Sequence, residues 1–70
     1  MERQLAEIAP LGDPVRRRLY IYVVSQSGEV GRDEAAQAVG ITRPAAAFHL
    51  EKLVESGLLE ADYRRLSGRS

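Results

Sequence analysis

Apolar residues recur at spacings of three and four through most of this chain and change to alternation only near its end. Val15, Leu19, Tyr22 and Val23 form the first such stripe, which predicts an amphipathic helix. Asp13-Pro14 marks its start, with aspartate capping free amides and proline in the first turn, where its missing donor costs nothing. The helix is expected to run to about Gln26, with Ser27-Gly28-Glu29 as the break. Val30 should then be buried, and Gly31 cap a short helix ending at Val39. Glu34 stands in the capping-box position, and Asp33 favours the positive helix end. After Gly40-Ile41-Thr42, Thr42 caps a longer helix that tolerates Pro44 in its first turn. Ala46, Leu50, Leu53 and Val54 make its buried stripe, and Ser56-Gly57-Leu58 ends it.

From Leu58 to Leu66 the period becomes two, with Leu59, Ala61 and Tyr63 on one face and Glu60, Asp62 and Arg64 on the other. That predicts a strand. Ser67-Gly68 reads as a turn with no strand returning from it, half a hairpin, so the chain is expected to be a piece of a longer one. At the other end, Leu5, Ile8 and Leu11 share helical spacing. They suggest a short helix or arm that packs on the domain or on a second subunit.

The second and third helices with their tight turn follow the grammar of a helix-turn-helix. Its marks are Ala36, then Gly40 four residues on, Ala46 six further and Leu50 four beyond that. Ala36 must be small where the next helix crosses. Gly40 takes the left-handed conformation that side chains resist. Ala46 and Leu50 face back toward the preceding helix. The expected fold is mostly α: a three-helix winged helix-turn-helix with a short C-terminal β-strand as a partial wing. Residues 1–12 are assigned to an N-terminal arm or short helix, 13–66 to the domain, and 67–70 to a flexible start of the wing turn.

Composition narrows the function. Seventy residues make one small domain with a modest core, whose stability is expected to be marginal. With no cysteine, disulfides, thiolate metal sites and cysteine nucleophiles are all excluded. The longest apolar run, Leu19 to Val24, is far too short to span a membrane. Acidic Glu2 and Glu7 and the lack of an apolar signal core argue against secretion, so a cytoplasmic protein is expected. Ten cations balance ten acids, although nucleic-acid domains are often basic. The balance is local, however. Arg16, Arg17 and Arg18 form one block, and Arg64, Arg65 and Arg69 gather near the C-terminus. Acids concentrate at Glu29, Asp33 and Glu34, and again at Glu51, Glu55, Glu60 and Asp62. Segregated charge can still present a positive face. Among the cations only Lys52 is not arginine, and asparagine is absent, a usage that suggests a GC-rich bacterial genome.

DPVRRRLYIYV followed by EAAQAVGITRPAAAFHLEKLVESGLLE resembles the winged helix-turn-helix regulators of bacteria, above all the ArsR-like group and related regulators of iron–sulfur and other metabolic genes. The matching features are Asp13-Pro14, Thr42-Arg43, His49-Leu50 and Leu53 through Leu58, and the likeness covers about residues 11 to 66. It implies a homodimer on operator DNA, with a wing hairpin touching the backbone or minor groove, here cut short. Some members of those families add metal or cluster ligands. This chain lacks the cysteines that such sites use.

At about 100° per residue, Pro44, Phe48, Glu51 and Glu55 lie opposite the buried stripe of the third helix, flanked by Ala45, Ala47 and Lys52. Major-groove contacts concentrate in a recognition helix's first half, so the candidate DNA contacts are Thr42, Arg43, Pro44, Ala45, Ala47, Phe48, His49 and Lys52. Arg43 can read guanine through a bidentate pair, while alanine and phenylalanine reach thymine methyls and sugar edges. Thr42 is an N-cap, a phosphate ligand or both. Phe48 has two readings of equal weight: packing under a wing or against the arm, or an apolar contact in the groove. His49 reads as a hydrogen-bonded structural residue or a phosphate contact, since one histidine without cysteine cannot build a zinc site or a triad. Lys52 is either a phosphate contact or part of a solvated face. Arg64, Arg65 and Arg69 are assigned to the wing strand and its tip, against the backbone or a minor groove, unless they only solubilise an edge strand. Arg16 to Arg18 are expected mainly as surface, with one of them in reach of phosphate or a paired subunit's acids.

Two functions compete. One is sequence-specific binding of double-stranded DNA by a dimeric bacterial regulator, on an operator whose palindromy follows from two-fold symmetry. The other is a winged-helix module for protein contact, favoured by the neutral charge and by Glu51 and Glu55. No catalytic, metal or cofactor site is expected, no membrane association, and the sequence names no small-molecule effector.

Overall fold

The computed structural model describes residues 11–62 and 65–68. They form α1 (Pro14–Ser25), β1 (Val30–Gly31), α2 (Arg32–Val39), α3 (Arg43–Glu55), β2 (Leu59–Asp62) and β3 (Arg65–Gly68). The expected fold, a mostly helical winged helix-turn-helix, is the one observed. The arm assigned to the first residues falls, up to Pro10, outside the described residues.

Each helix begins where its cap chemistry dictates. Asp13 accepts from the N–H groups of Val15 and Arg16 at 2.9 and 3.0 Å, satisfying donors that the first turn leaves unpaired. Thr42 Oγ1 accepts from the Ala45 N–H at 3.3 Å. At α2 the cap is glycine, so only half a capping box exists: the Glu34 carboxylate accepts from the Gly31 N–H at 3.5 Å. Two glycines end helices from the left-handed region, Gly40 and Gly57, each at φ 84°. Past Gly40 the carbonyl of Ala36 takes two N–H groups, from Gly40 at 2.8 Å and Ile41 at 3.0 Å. At α3 the Gly57 N–H returns to Val54 and the Leu58 N–H to Leu53, the paired bonds of a Schellman ending.

The core draws on every element. Leu19 and Val23 come from α1, Ala35, Ala36 and Val39 from α2, and Ala46, Leu50 and Leu53 from α3; each strand adds one residue, Val30, Leu59 or Leu66. The alanines sit where the stripes of α2 and α3 meet, letting two short helices approach closely. Val15, Tyr22 and Val54, expected in the buried stripes, are half-buried at the margin.

The C-terminal region corrects the expectation of a single strand through Leu66. The chain reverses after Asp62, and β3 returns antiparallel with Leu59 opposite Gly68 and Ala61 opposite Leu66. The reversal itself, with Tyr63 and Arg64, lies outside the described residues. Burial explains why the chain turns back. Leu66 is seven residues beyond Leu59, which in one straight strand would carry it roughly 23 Å away at about 3.3 Å per residue. Turning back buries Leu66 completely beside Leu59 and Val30. The half-hairpin, the wing cut short, is therefore a hairpin with both strands present. Ser67-Gly68, expected as a turn, finish β3; a Cβ on Gly68 would stand 3.1 Å from Val24 Cγ1. Ala61, expected on one face with Leu59, is exposed where Leu59 is buried, because within β2 only Leu59 lies over the helices. The sequence reading also lacked β1, whose Val30 and Gly31 pair with Leu66 and Arg65 to place β3 at the centre of the sheet.

Candidate nucleic-acid interface

The outer face of α3 stands as the helical projection has it. Arg43, Pro44, Phe48, Glu51, Lys52 and Glu55 are exposed, and Ala45, Ala47 and His49 are half-buried on its flanks. Thr42, also exposed, uses its hydroxyl oxygen in the cap. Arg43 carries a partner absent from the sequence reading. Its Nε lies 2.6 Å from Asp33 Oδ1, across the turn from α3 to the first turn of α2, with both side chains largely in solvent. Lys52 Nζ stands 3.8 Å from Glu55 one turn on.

Phe48 is 56% exposed, and the arm that one of its two readings sets against it lies, up to Pro10, outside the described residues. Two cations bracket its ring, Lys52 with Nζ 5.5 Å and Arg16 with Cζ 5.8 Å from the centroid, both within cation–π range. The His49 ring meets it edge-on at 5.5 Å. Arg16 also donates from Nε to His49 Nδ1 at 3.1 Å. His49 is thus a hydrogen-bonded residue of the fold, and Arg16, read from the sequence as surface, belongs to the face of α3. Periodicity within α1 placed it off the buried stripe, but only the crossing of α1 and α3 shows what lies beside it.

The other two arginines of that block serve the backbone. Arg17 Nε donates to Leu11 O at 3.1 Å, and Arg18 Nη2 to Val39 O at 3.2 Å, at the C-terminal end of α2. Tyr22 donates its hydroxyl to Glu34 Oε2 at 3.2 Å. Loss of solvent around the phenol, and then the neighbouring carboxylate, hold Tyr22 above its ordinary value of 10.

On the wing, Arg65 is exposed on β3, and its Nη2 donates to Glu29 O at 2.7 Å. It lines an open cleft with Gly31, Arg32, Asp33, Glu34 and Arg43, beside the start of α3, and stands opposite Asp62, the last residue of β2 before the reversal. Arg64 and Arg69 lie outside the described residues. Arg16 from α1 thus joins Lys52 beside Phe48 on the outer face of α3, while Arg65 from β3 shares a cleft with Arg43 at that helix's start.

Among the described residues no group of three or more His, Cys, Asp or Glu could hold a metal ion, and no helix is long and apolar enough to cross a membrane. No curated protein and no solved structure matches the chain. A family model described as a helix-turn-helix domain matches residues 11–61, from just before the α1 cap into β2. With that match spanning most of its 70 residues, the chain belongs to the helix-turn-helix domain family.

Proposed function

We propose that this chain is the sequence-specific DNA-binding domain of a bacterial transcriptional regulator of the ArsR-like kind, with α3 in the major groove. The observation that carries this reading is the exposed first half of α3. It offers Arg43 at its start, two small alanines that permit close approach, and Phe48 flanked by cations. Arginine reads guanine and an exposed aromatic reaches thymine methyls, while Lys52, Arg16 and Arg65 are the phosphate ligands. Cations gathered around one helix let a chain of zero net charge meet a polyanion. The regulator acts as a homodimer on a palindromic operator, its domain beginning at the Asp13 cap, and Arg64 and Arg69 extend the contact from the wing. Against this stands a protein-contact module, favoured by exposed Glu51 and Glu55 beside an exposed phenylalanine.

Selection from random duplex DNA at about 50 and 200 mM salt separates the two, because phosphate contacts lose affinity steeply over that range. A two-fold symmetric motif, weakened by salt and lost in Arg43→Ala with the fold intact, supports the DNA reading. No retention even at the lower salt overturns it in favour of a protein partner.

A further inference from the structure

We infer that Asp33 is the positioning residue for Arg43, and that it sets the selectivity with which α3 reads a base. This rests on the DNA-binding reading above and goes beyond it to a residue on α2 that the sequence marked only as an acid at the positive helix end.

The geometry is a single charge-assisted contact, Arg43 Nε to Asp33 Oδ1 at 2.6 Å. An end-on contact to guanine O6 and N7 uses the two Nη groups of the fork. A carboxylate on Nε therefore fixes the plane of the guanidinium and leaves that end for the base. Burial does not force the pair together, since the side chains are 69% and 72% exposed. Nor is Asp33 needed where its neighbour serves. Glu34 holds the Gly31 N–H and the Tyr22 hydroxyl, which are contacts of the fold. Asp33 instead faces across the turn to the first residue of α3. An arginine ordered before DNA arrives forfeits less side-chain entropy on binding. A carboxylate near the phosphates also repels them, so Asp33 weakens contact with every sequence and sharpens the choice among them.

The test uses duplexes selected by the wild-type chain. The position at which Arg43→Ala loses its preference is varied through all four base pairs, and each variant is also titrated with an unrelated duplex. Wild type is expected to prefer guanine there by roughly 5- to 150-fold, the range of one bidentate contact. In Asp33→Ala that ratio falls to about threefold or less while binding to the unrelated duplex is unchanged or tighter. Asp33→Asn, which keeps the shape and an acceptor oxygen, falls between, and it decides the matter if Asp33→Ala loses helicity. A merely structural loss lowers both affinities together. An unchanged guanine ratio with tighter binding to every duplex overturns the inference alone and makes Asp33 a competing charge. If wild type retains no duplex, or prefers no guanine through Arg43, the inference falls together with the reading beneath it.

Discussion

Arg16 in the first turn of α1 donates from Nε to His49 Nδ1 in the middle of α3, 33 residues away in sequence. The same guanidinium lies over Phe48, so one side chain ties α1 to two neighbours on the proposed reading helix. Arg16→Ala is expected to weaken binding to all duplexes by a similar factor and to lower the salt slope by about one unit. Titrations of two unrelated duplexes across a salt series check this. A loss confined to one sequence would mean that Arg16 reads bases.

Gly40 supports a prediction free of steric complication. No atom stands within 4 Å of where its Cβ would be, yet its φ is 84°. Gly40→Ala should therefore cost about 1–2 kcal/mol from backbone strain alone. Gly40→Asn should cost less, since asparagine tolerates this region. Urea unfolding of the two variants gives the comparison, and equal losses would count against a conformational cause.

Asp13 makes the fold sensitive to acid. The Arg16 N–H bond, with further help from the Val15 N–H and the His49 and Arg16 charges, outweighs desolvation and holds its carboxyl below the ordinary 3.8. A folded-state value below the unfolded one stabilises the fold above the unfolded value, and that contribution is lost as pH falls through the folded one. Wild type should therefore lose more thermal stability than Asp13→Asn between about pH 5 and pH 2. Parallel melting curves for the two proteins would exclude Asp13 as a source of acid lability.

Leu66 tests whether the hairpin is part of the core or an appendage to it. It is fully buried between strands and helices, so Leu66→Ala should cost about 2–5 kcal/mol, a large share of the roughly 5–15 kcal/mol that holds a typical domain. Helical circular dichroism should then melt at a markedly lower temperature. An unchanged helical transition would show a sheet uncoupled from the helices.

How much of this the residues announced depends on the range of the interaction. Asp13, Thr42, Gly40 and Gly57 act on amides within a few positions of themselves, so caps and turns could be read directly. The buried stripe of α3 followed from one period, and the face opposite it followed too. Long-range pairings were hidden. β1 has two residues, too few to show any period, and exists because β3 lies beside it. The hairpin was concealed because Tyr63-Arg64 carries no glycine, proline or asparagine, while Ser67-Gly68 does look like a turn. At the candidate site, Thr42 to Lys52 could be listed by position on a helix. The Asp33–Arg43 and Arg16–His49 pairs each join two elements, and local spacing says nothing of such partners.

The strand order has a last consequence, for what this molecule avoids. With β3 central, β2 forms one rim of the sheet, a row of backbone groups that a second copy could extend. Glu60 and Asp62 stand exposed on that short rim. Two molecules meeting there antiparallel would bring four carboxylates within a few ångströms at neutral pH, where like charges across a strand pair repel. The acids that make the whole chain neutral thus guard it against ribbon-like stacking.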